Sequence, residues 1–206
     1  MKKRGSSRRW IAEHENDKYV KLARERGLRS RAALKLEEID QRDRLFKPGQ
    51  LVVDLGAAPG GWSQIAIKRV RPGGRVVATD ILPMDPITDV RFVQGDFTEP
   101  EIEALLLEQL GASTVDLVLS DMAPNLSGIK AVDEARSALL AELAVDTAGK
   151  LLKGGGSLLI KLFQGAGTDD ILRAMRAQYA RVTVRKPDAS RARSREFYVL
   201  AAGFQL

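Results

Sequence analysis

Five charged residues close five short apolar runs of the chain, at positions where a binding or catalytic site could form. They are Asp54, Asp80, Asp96, Asp121 and Lys161. A single Asp after a strand often marks only the transition into a turn, but five charged residues in equivalent positions favour a shared site. Lys161 and Asp121 are the most unusual of them, because each interrupts or directly follows an apolar run in which a buried charge needs a reason.

The segment DLGAAPGGW (54–62) has the composition of a loop that holds a nucleotide-type ligand. Gly56 permits a tight turn after the first strand, and Gly60 lets the backbone approach a ligand at the start of the next helix. The segment is neither a dinucleotide fingerprint nor a P-loop, because G-x-G-x-x-G is absent and no Gly-Lys-Ser/Thr follows. Asp80 is placed to accept the ribose hydroxyls of an adenosine-type ligand, and Asp96 could accept from the adenine amino group.

A glycine loop without a diphosphate cradle suits an adenosine ligand that lacks phosphates. S-adenosylmethionine is such a ligand, and surrounding acidic residues would favour its cationic sulfonium. Trp62 either lines this pocket or belongs to the core of the following helix, and the sequence leaves both interpretations open.

The elements that must position these residues alternate between strand and helix. Strand patterns cover 51–56, 75–81, 90–96, 114–121 and 155–163, and helical patterns cover 61–71, 99–111, 131–152 and 168–179. This alternation predicts an α/β fold whose parallel sheet carries ligands at the carboxyl ends of its strands. An amphipathic helix over 31–46 precedes the sheet. Two final strands, 180–187 and 196–204, predict an antiparallel hairpin. Phe197 and Tyr198 alternate in its second strand, and we expect one face of that strand to be core rather than a base-stacking platform.

Composition excludes several other site chemistries. The 206 residues include no cysteine and one histidine, His14, which we interpret as a surface residue. A Cys-ligated zinc site, a multi-His metal site and a Ser-His-Asp triad are therefore not expected, and no metal is predicted. No apolar run approaches the ~20 residues that span a bilayer, and the basic N-terminus lacks the apolar stretch of a secretory signal. We expect a cytoplasmic monomer that does not associate with membranes.

Positive charge is concentrated in two segments. Residues 1–35 hold 12 Lys and Arg against 4 Asp and Glu, and residues 181–196 hold 6 against 2, although the whole chain has a net charge of only +6. Two basic segments that flank an acidic body favour a polyanionic partner, because neutralising phosphates releases counterions. The alternative is that residues 1–30 are a solvated tail, or that Trp10, Tyr19 and Val20 pack on the core.

Five blocks of the chain resemble the motifs of the FtsJ/RrmJ family of RNA ribose 2′-O-methyltransferases. They are SRAALKLEEI (30–39), DLGAAPGGWS (54–63), SDMAPNLSG (120–128), GGSLLIKLFQG (155–165) and KPDASRARSREFYV (186–199). They occur in the family's order and cover nearly the whole chain. The resemblance implies a Rossmann-like S-adenosylmethionine-dependent methyltransferase fold, with a mostly parallel seven-stranded sheet and a C-terminal antiparallel hairpin. It further implies one methyltransferase domain over 31–206, after a basic N-terminal arm over 1–30.

The resemblance also implies a catalytic Lys-Asp-Lys-Glu tetrad. By motif, its members are Lys35, Asp121, Lys161 and Glu196. Lys161 would be the general base, with a pKa lowered by the second lysine and by desolvation, while Lys35 holds the 2′-oxygen and the two acids orient the lysines. The implied contacts to S-adenosylmethionine come from the glycine loop and the strand ends, at Gly56, Gly60, Trp62, Asp80, Asp96 and Asp121.

The implied substrate is RNA. The chain most resembles bacterial members that methylate a uridine of 23S (large-subunit) ribosomal RNA, so we expect ribosomal RNA as partner, with arm 1–30 and loop 185–195 as contact candidates. A transfer RNA anticodon loop or a messenger RNA cap remains open, because the catalytic residues would be the same. The intact tetrad disfavours a non-catalytic ribosome-assembly factor, and the missing G-x-G-x-x-G disfavours an NAD-dependent enzyme.

Overall fold

Strands and helices alternate along the chain in a computed structural model that describes residues 17–111, 113–125, 127–191 and 194–206. The strands are β1 (Leu51–Leu55), β2 (Arg75–Asp80), β3 (Val90–Gln94), β4 (Val115–Ser120), β5 (Leu152–Phe163), β6 (Tyr179–Arg185) and β7 (Glu196–Phe204). The helices are α1 (Lys18–Glu25), α2 (Ala32–Asp43), α3 (Gly61–Val70), α4 (Pro100–Leu110), α5 (Lys130–Leu151) and α6 (Thr168–Gln178). The elements predicted from the sequence therefore exist, with ends that differ by a few residues.

The seven strands form one sheet in the order β3-β2-β1-β4-β5-β7-β6. The pairs β1–β2, β2–β3, β1–β4 and β4–β5 are parallel, whereas β7 runs antiparallel to both β5 and β6. The mostly parallel sheet with a C-terminal antiparallel hairpin is thus confirmed. The chain order reverses between β1 and β4, and ligands of such sheets bind outside the carboxyl ends of the strands at this reversal.

Helices cover both faces of the sheet. One apolar cluster joins α4, α5 and α6 to the face that carries Val53 and Leu55, and a second joins α1, α2 and α3 to the face that carries Val52. Every residue of β1 is buried, as expected for a central parallel strand. No helix among the residues that the structure describes is long and apolar enough to cross a membrane.

The described part of the predicted arm packs on this domain. Asp17 caps α1 by accepting a hydrogen bond from the Tyr19 amide at 2.9 Å. Val20, Ala23 and Leu28 are buried, and the last two belong to the cluster beneath α2 and α3. Trp10, His14 and the basic residues before Asp17 lie outside the described residues.

Candidate active site

The glycine loop between β1 and α3 has a backbone that only glycine fits at two positions. Gly56 has φ +73°, and its N–H and that of Ala57 donate to the Thr79 carbonyl at 2.9 and 3.1 Å. A Cβ on Gly56 would lie 2.3 Å from Met122 Cγ, and one on Gly60, which has φ +101°, would lie 2.8 Å from Ile87 Cδ1. The loop is therefore a narrow turn of bare backbone at the carboxyl edge of the sheet.

Arg29 ties this loop to the segment that follows β2. Its guanidinium donates to the Pro59 carbonyl at 3.1 Å, to the Asp85 carbonyl at 2.6 Å and to the Pro86 carbonyl at 2.7 Å. One cation of the predicted arm is thus engaged in holding together two loops of the domain.

Asp80 ends β2 beside the glycine loop. One carboxylate oxygen accepts the Ala58 amide and the other accepts the Leu82 amide, each at 2.8 Å. Asp96 follows β3 and accepts the amide and hydroxyl of Thr98 on a single oxygen, at 2.9 and 2.7 Å. Each carboxylate oxygen has two lone pairs, so both residues keep acceptor capacity for a ligand.

The structure places the Trp62 side chain in the core. It is 3% exposed, its indole N–H donates to the Ala32 carbonyl at 2.9 Å, and its ring lies 5.8 Å from that of Tyr198. The group of Trp62 that remains for a ligand is its backbone amide, because the first amides of a helix have no intrahelical acceptor.

Three carboxylates converge beneath the loop. Asp54 is fully buried in β1 and accepts the Ser63 hydroxyl at 2.6 Å. The pKa of Asp54 is raised to about 7, mainly by burial and also by the charges of Asp121 and Asp80, against the lowering effect of the Ser63 hydrogen bonds. A cationic ligand at this edge would relieve the repulsion among these acids.

Lys35, Asp121, Lys161 and Glu196, which lie far apart in the sequence, form one connected network. Lys35 Nζ donates to Glu196 Oε1 at 2.5 Å, and Lys161 Nζ lies 3.1 Å from Asp121 Oδ1 and 2.5 Å from the Asp121 carbonyl oxygen. The lysine side chains are each 8% exposed. Helix α2 supplies Lys35, whereas Asp121 follows β4 and the other two residues come from the paired strands β5 and β7.

Tyr198 joins the two ion pairs. Its hydroxyl accepts from Lys35 Nζ at 3.2 Å and donates to Asp121 Oδ1 at 2.9 Å. Burial raises the pKa of Tyr198 well above its ordinary value, so the phenol stays neutral and can serve as donor and acceptor together. The sequence predicts one face of this strand as core without choosing between Phe197 and Tyr198, and both are buried. The role of the Tyr198 hydroxyl is not predicted. The available signal was a phenol two residues from Glu196, since a buried Tyr hydroxyl usually finds a partner.

Burial and charge act against each other at the Lys35–Glu196 pair. Burial lowers the pKa of Lys35, and the charges of Asp121 and Glu196 limit this fall. Burial alone would raise the pKa of Glu196, but the hydrogen bond and charge of Lys35 and the charge of Lys161 lower it overall. The site thus holds an ionised carboxylate against an ammonium group that is easier to deprotonate than a solvated lysine.

The loop before β7 is fastened to α2 and α5. Arg31 donates to the Ala189 carbonyl, and the Glu38 carboxylate accepts the Asp188 amide at 2.9 Å. On the other side, Arg195 donates to Glu134 at 2.6 Å. These contacts fix the approach to Glu196 on both sides of the tetrad.

Residues 28–204 match the family model described as FtsJ-like methyltransferase. The chain belongs to this family. The match covers the glycine loop and all four members of the tetrad, and it begins near the end of the predicted arm.

Two solved structures resemble the fold. A candidate ribosomal RNA methyltransferase from Plasmodium falciparum is 28% identical, with a TM-score of 0.77 over 85% of this chain and 98% of that one. A candidate rRNA-methylase from Clostridium thermocellum is 17% identical, with a TM-score of 0.57 over 84% of this chain and 97% of that one. The second likeness concerns the fold alone.

Proposed function

We propose that this FtsJ-like methyltransferase uses S-adenosylmethionine to methylate a ribose 2′-hydroxyl of RNA, with a uridine of 23S ribosomal RNA as target. The observation that carries the proposal is the unbroken chain of contacts Glu196–Lys35–Tyr198–Asp121–Lys161. It lies at the carboxyl edge of β4, the strand beside β1 and its glycine loop. A ribose hydroxyl needs both a base and a positioned electrophile, and this edge of the sheet offers a place for each.

The residues present fit S-adenosylmethionine. Gly56 and Gly60 present bare backbone in a turn where a Cβ would clash with Met122 or Ile87. Asp80 beside this turn has acceptors free for ribose hydroxyls. Asp96 would take the adenine amino group, the Trp62 amide would face the ligand at the helix start, and Asp121 would balance the sulfonium charge. When bound, S-adenosylmethionine supplies an electrophilic methyl group on a positively charged sulfur.

The two lysines would divide the work on the hydroxyl. Lys161 lies next to Asp121, and we assign its deprotonated amine to accept the 2′-hydroxyl proton at Nζ. The ribose oxygen would gain the methyl group as the sulfur–methyl bond breaks, and the uncharged thioether would leave. Lys35, paired with its own carboxylate Glu196, would hold the 2′-oxygen as a cation. Tyr198 couples the two, so the position of each ammonium group depends on the other. Alignment of oxygen and methyl by these fixed groups would supply a large share of the acceleration.

The choice of ribosomal RNA rests on the family and on the structural relative from Plasmodium falciparum, whose description names that substrate. The basic arm 1–30 and loop 185–195 would contact the RNA, and a folded region of the large subunit would supply the target uridine. Residues 1–16 and 192–193 of these segments lie outside the described residues.

Mass spectrometry of nuclease-digested RNA tests the proposal. Ribosomal and transfer RNA from a strain that lacks the gene is compared with RNA from the same strain carrying wild-type protein or Lys161→Ala. The proposal expects one 2′-O-methyluridine of large-subunit RNA to be lost and restored by wild-type protein alone. Loss of a ribose methyl from transfer RNA instead would mean that transfer RNA is the substrate. Unchanged ribose methylation in both RNAs would contradict the proposed activity.

A further inference from the structure

A second charged surface lies at the amino edge of the sheet, opposite the tetrad. A cavity of about 530 Å³ opens between the end of α2, the segment that precedes β1, and strands β4, β5, β6 and β7. Six charged residues line its wall, namely Asp43, Arg44, Lys47, Asp116, Lys153 and Arg181. Nothing in the proposed methyl transfer uses them.

Both carboxylates of this cavity are already neutralised. Arg185 donates to the two oxygens of Asp43 at 2.7 and 2.6 Å, and Lys153 forms an ion pair with Asp116. The hydrogen bond from Arg185, with the charges of Arg42 and Arg181, holds the pKa of Asp43 below its usual range. Asp43 thus stands as one carboxylate among several arginines.

Three cations of the cavity have no carboxylate within ion-pair distance among the described residues. They are Arg44, Lys47 and Arg181, and all three are exposed. Folding brings these three cations near one another, and their mutual repulsion costs electrostatic energy unless solvent or a ligand screens it. The cavity therefore carries an uncompensated positive charge that an anion would balance.

Arg44 occupies a backbone position that favours glycine. It ends α2 with φ 52° and ψ 54°, in the left-handed region, where a side chain is disfavoured. A Gly at this cap would fit the backbone better, yet the chain has an arginine whose side chain lines the cavity. This placement is a second observation that the cavity wall is built for charge.

We propose that the cavity binds phosphate groups of the RNA substrate at a site remote from the methylated nucleotide, through Arg44, Lys47 and Arg181. The inference rests on the proposed function, because it takes RNA as the substrate. Arg42 lies close enough to Asp43 to lower its pKa. It extends the positive surface along α2, which suits a polyanion with several phosphate groups. The described wall has no aromatic ring on which a base could stack, which disfavours a nucleobase in the cavity.

The salt dependence of RNA affinity tests this site. Fluorescence anisotropy measures binding of a labelled large-subunit ribosomal RNA transcript by wild-type protein, by the double variant Arg44→Gln/Arg181→Gln and by the control Arg176→Gln. Arg176 lies on α6, which packs on the other face of the sheet from α2. Each lost phosphate contact should reduce the magnitude of the slope of log affinity against log salt by roughly 0.7–0.9. The slope of the double variant should therefore be smaller in magnitude by about 1.5, while the control keeps the wild-type slope.

Arg44→Gly separates binding from stability. Glycine suits the left-handed cap, so the variant should melt at or above the wild-type temperature while its slope falls by one contact. A wild-type slope in the double variant, or an equal loss in Arg176→Gln, would overturn the proposal. Loss of inorganic phosphate binding by calorimetry with an unchanged RNA slope would overturn it too, by making the cavity a small-anion site.

Failure of the proposed function would look different. Anisotropy reports RNA binding whether or not a methyl group is transferred, so absence of methylation by the wild-type protein leaves the slope comparison valid. If wild-type protein methylates the transcript and the double variant retains the maximal rate at saturating RNA, the cavity acts in binding alone, as proposed. A double variant that lost the maximal rate with full RNA affinity would contradict the remote-site assignment.

Discussion

The two edges of the sheet carry similar numbers of charged side chains in opposite states. At the carboxyl edge, Lys35 and Lys161 are nearly buried and each contacts a carboxylate. At the amino edge, Arg44 and Arg181 are exposed and have no such partner among the described residues. The five residues of β1, about 17 Å of strand, separate the two edges.

This difference matches the roles that we propose for the two edges. Buried ion pairs cost desolvation energy, and a fixed, tightly bonded arrangement is useful where a reacting group must be held in one place. Exposed cations cost little and exchange water for phosphate readily, which suits binding of a polyanion. The carboxyl edge is therefore the place where substitutions should change the rate, and the amino edge the place where they should change affinity and its salt dependence.

Lys161→Ala should give the largest effect. Without the amine that we propose as acceptor of the 2′-hydroxyl proton, the methyl-transfer rate should fall by about 10²–10⁴-fold, while affinity for S-adenosylmethionine stays within about threefold. Single-turnover assays and calorimetric titration measure the two quantities. Lys150→Ala, an exposed lysine on α5, is the matched control. Turnover near wild type would remove Lys161 from the chemistry and leave Lys35 as the remaining lysine.

Asp80→Ala should act on cofactor affinity first. A carboxylate that accepts charged hydrogen bonds contributes about 1.5–3 kcal/mol per bond, which is roughly 10–100-fold in dissociation constant. Part of the loss comes from the Ala58 and Leu82 amides, which Asp80 holds in place. Asp80→Asn, which keeps an acceptor, should lose less. An affinity for S-adenosylmethionine that changes by less than about threefold in Asp80→Ala would place the ribose elsewhere.

Tyr198→Phe should have an intermediate effect on rate. The ring remains packed beside Trp62, but the hydroxyl that links Lys35 to Asp121 is gone. Loss of about 1–2 kcal/mol in positioning corresponds to a roughly 5–30-fold lower rate with an unchanged melting temperature. A shift in the pH–rate profile should accompany it, because Lys35 loses a neutral acceptor. A wild-type rate and profile would reduce Tyr198 to a core residue.

Asp54→Asn should have the smallest effect on rate, because it acts on stability instead. The folded pKa of Asp54 is about 7 against an ordinary 3.8, so the folded state binds the proton more tightly than the unfolded state. This group therefore lowers the free energy of unfolding as pH rises from about 4 to 7, by up to about 1.4 kcal/mol per pH unit, and the full penalty remains above pH 7. Urea denaturation should show the free energy of unfolding of Asp54→Asn rising relative to that of wild type between pH 5 and pH 8. A difference that stays constant over this range would contradict the raised pKa.

The sequence could predict the frame of the site but not its internal contacts. Alternating apolar runs predict β1 to β5 and the hairpin, and the charged residues at strand ends predict which edge is functional, because both depend on local pattern. The resemblance to the family's motifs indicates the four residues of the tetrad. The link through Tyr198 forms only because folding brings α2 next to β7, which lies far from it in the sequence. The core position of the Trp62 indole likewise depends on its hydrogen bond to the Ala32 carbonyl. The basal cavity has no motif, because residues near 44, 116 and 181 meet only in the folded sheet.

Alkaline hydrolysis of RNA methylated in vitro tests the central claim most directly. Wild-type protein and Lys161→Ala are incubated with large-subunit ribosomal RNA and S-adenosylmethionine carrying a labelled methyl group, and the RNA is then hydrolysed by alkali. Alkaline cleavage requires a free 2′-hydroxyl, so a ribose methyl protects the adjoining phosphodiester. The account predicts labelled, alkali-stable dinucleotides from the wild-type reaction and almost none from Lys161→Ala. Label in mononucleotides, which would mean methylation of a base, or equal label from both proteins, would contradict it.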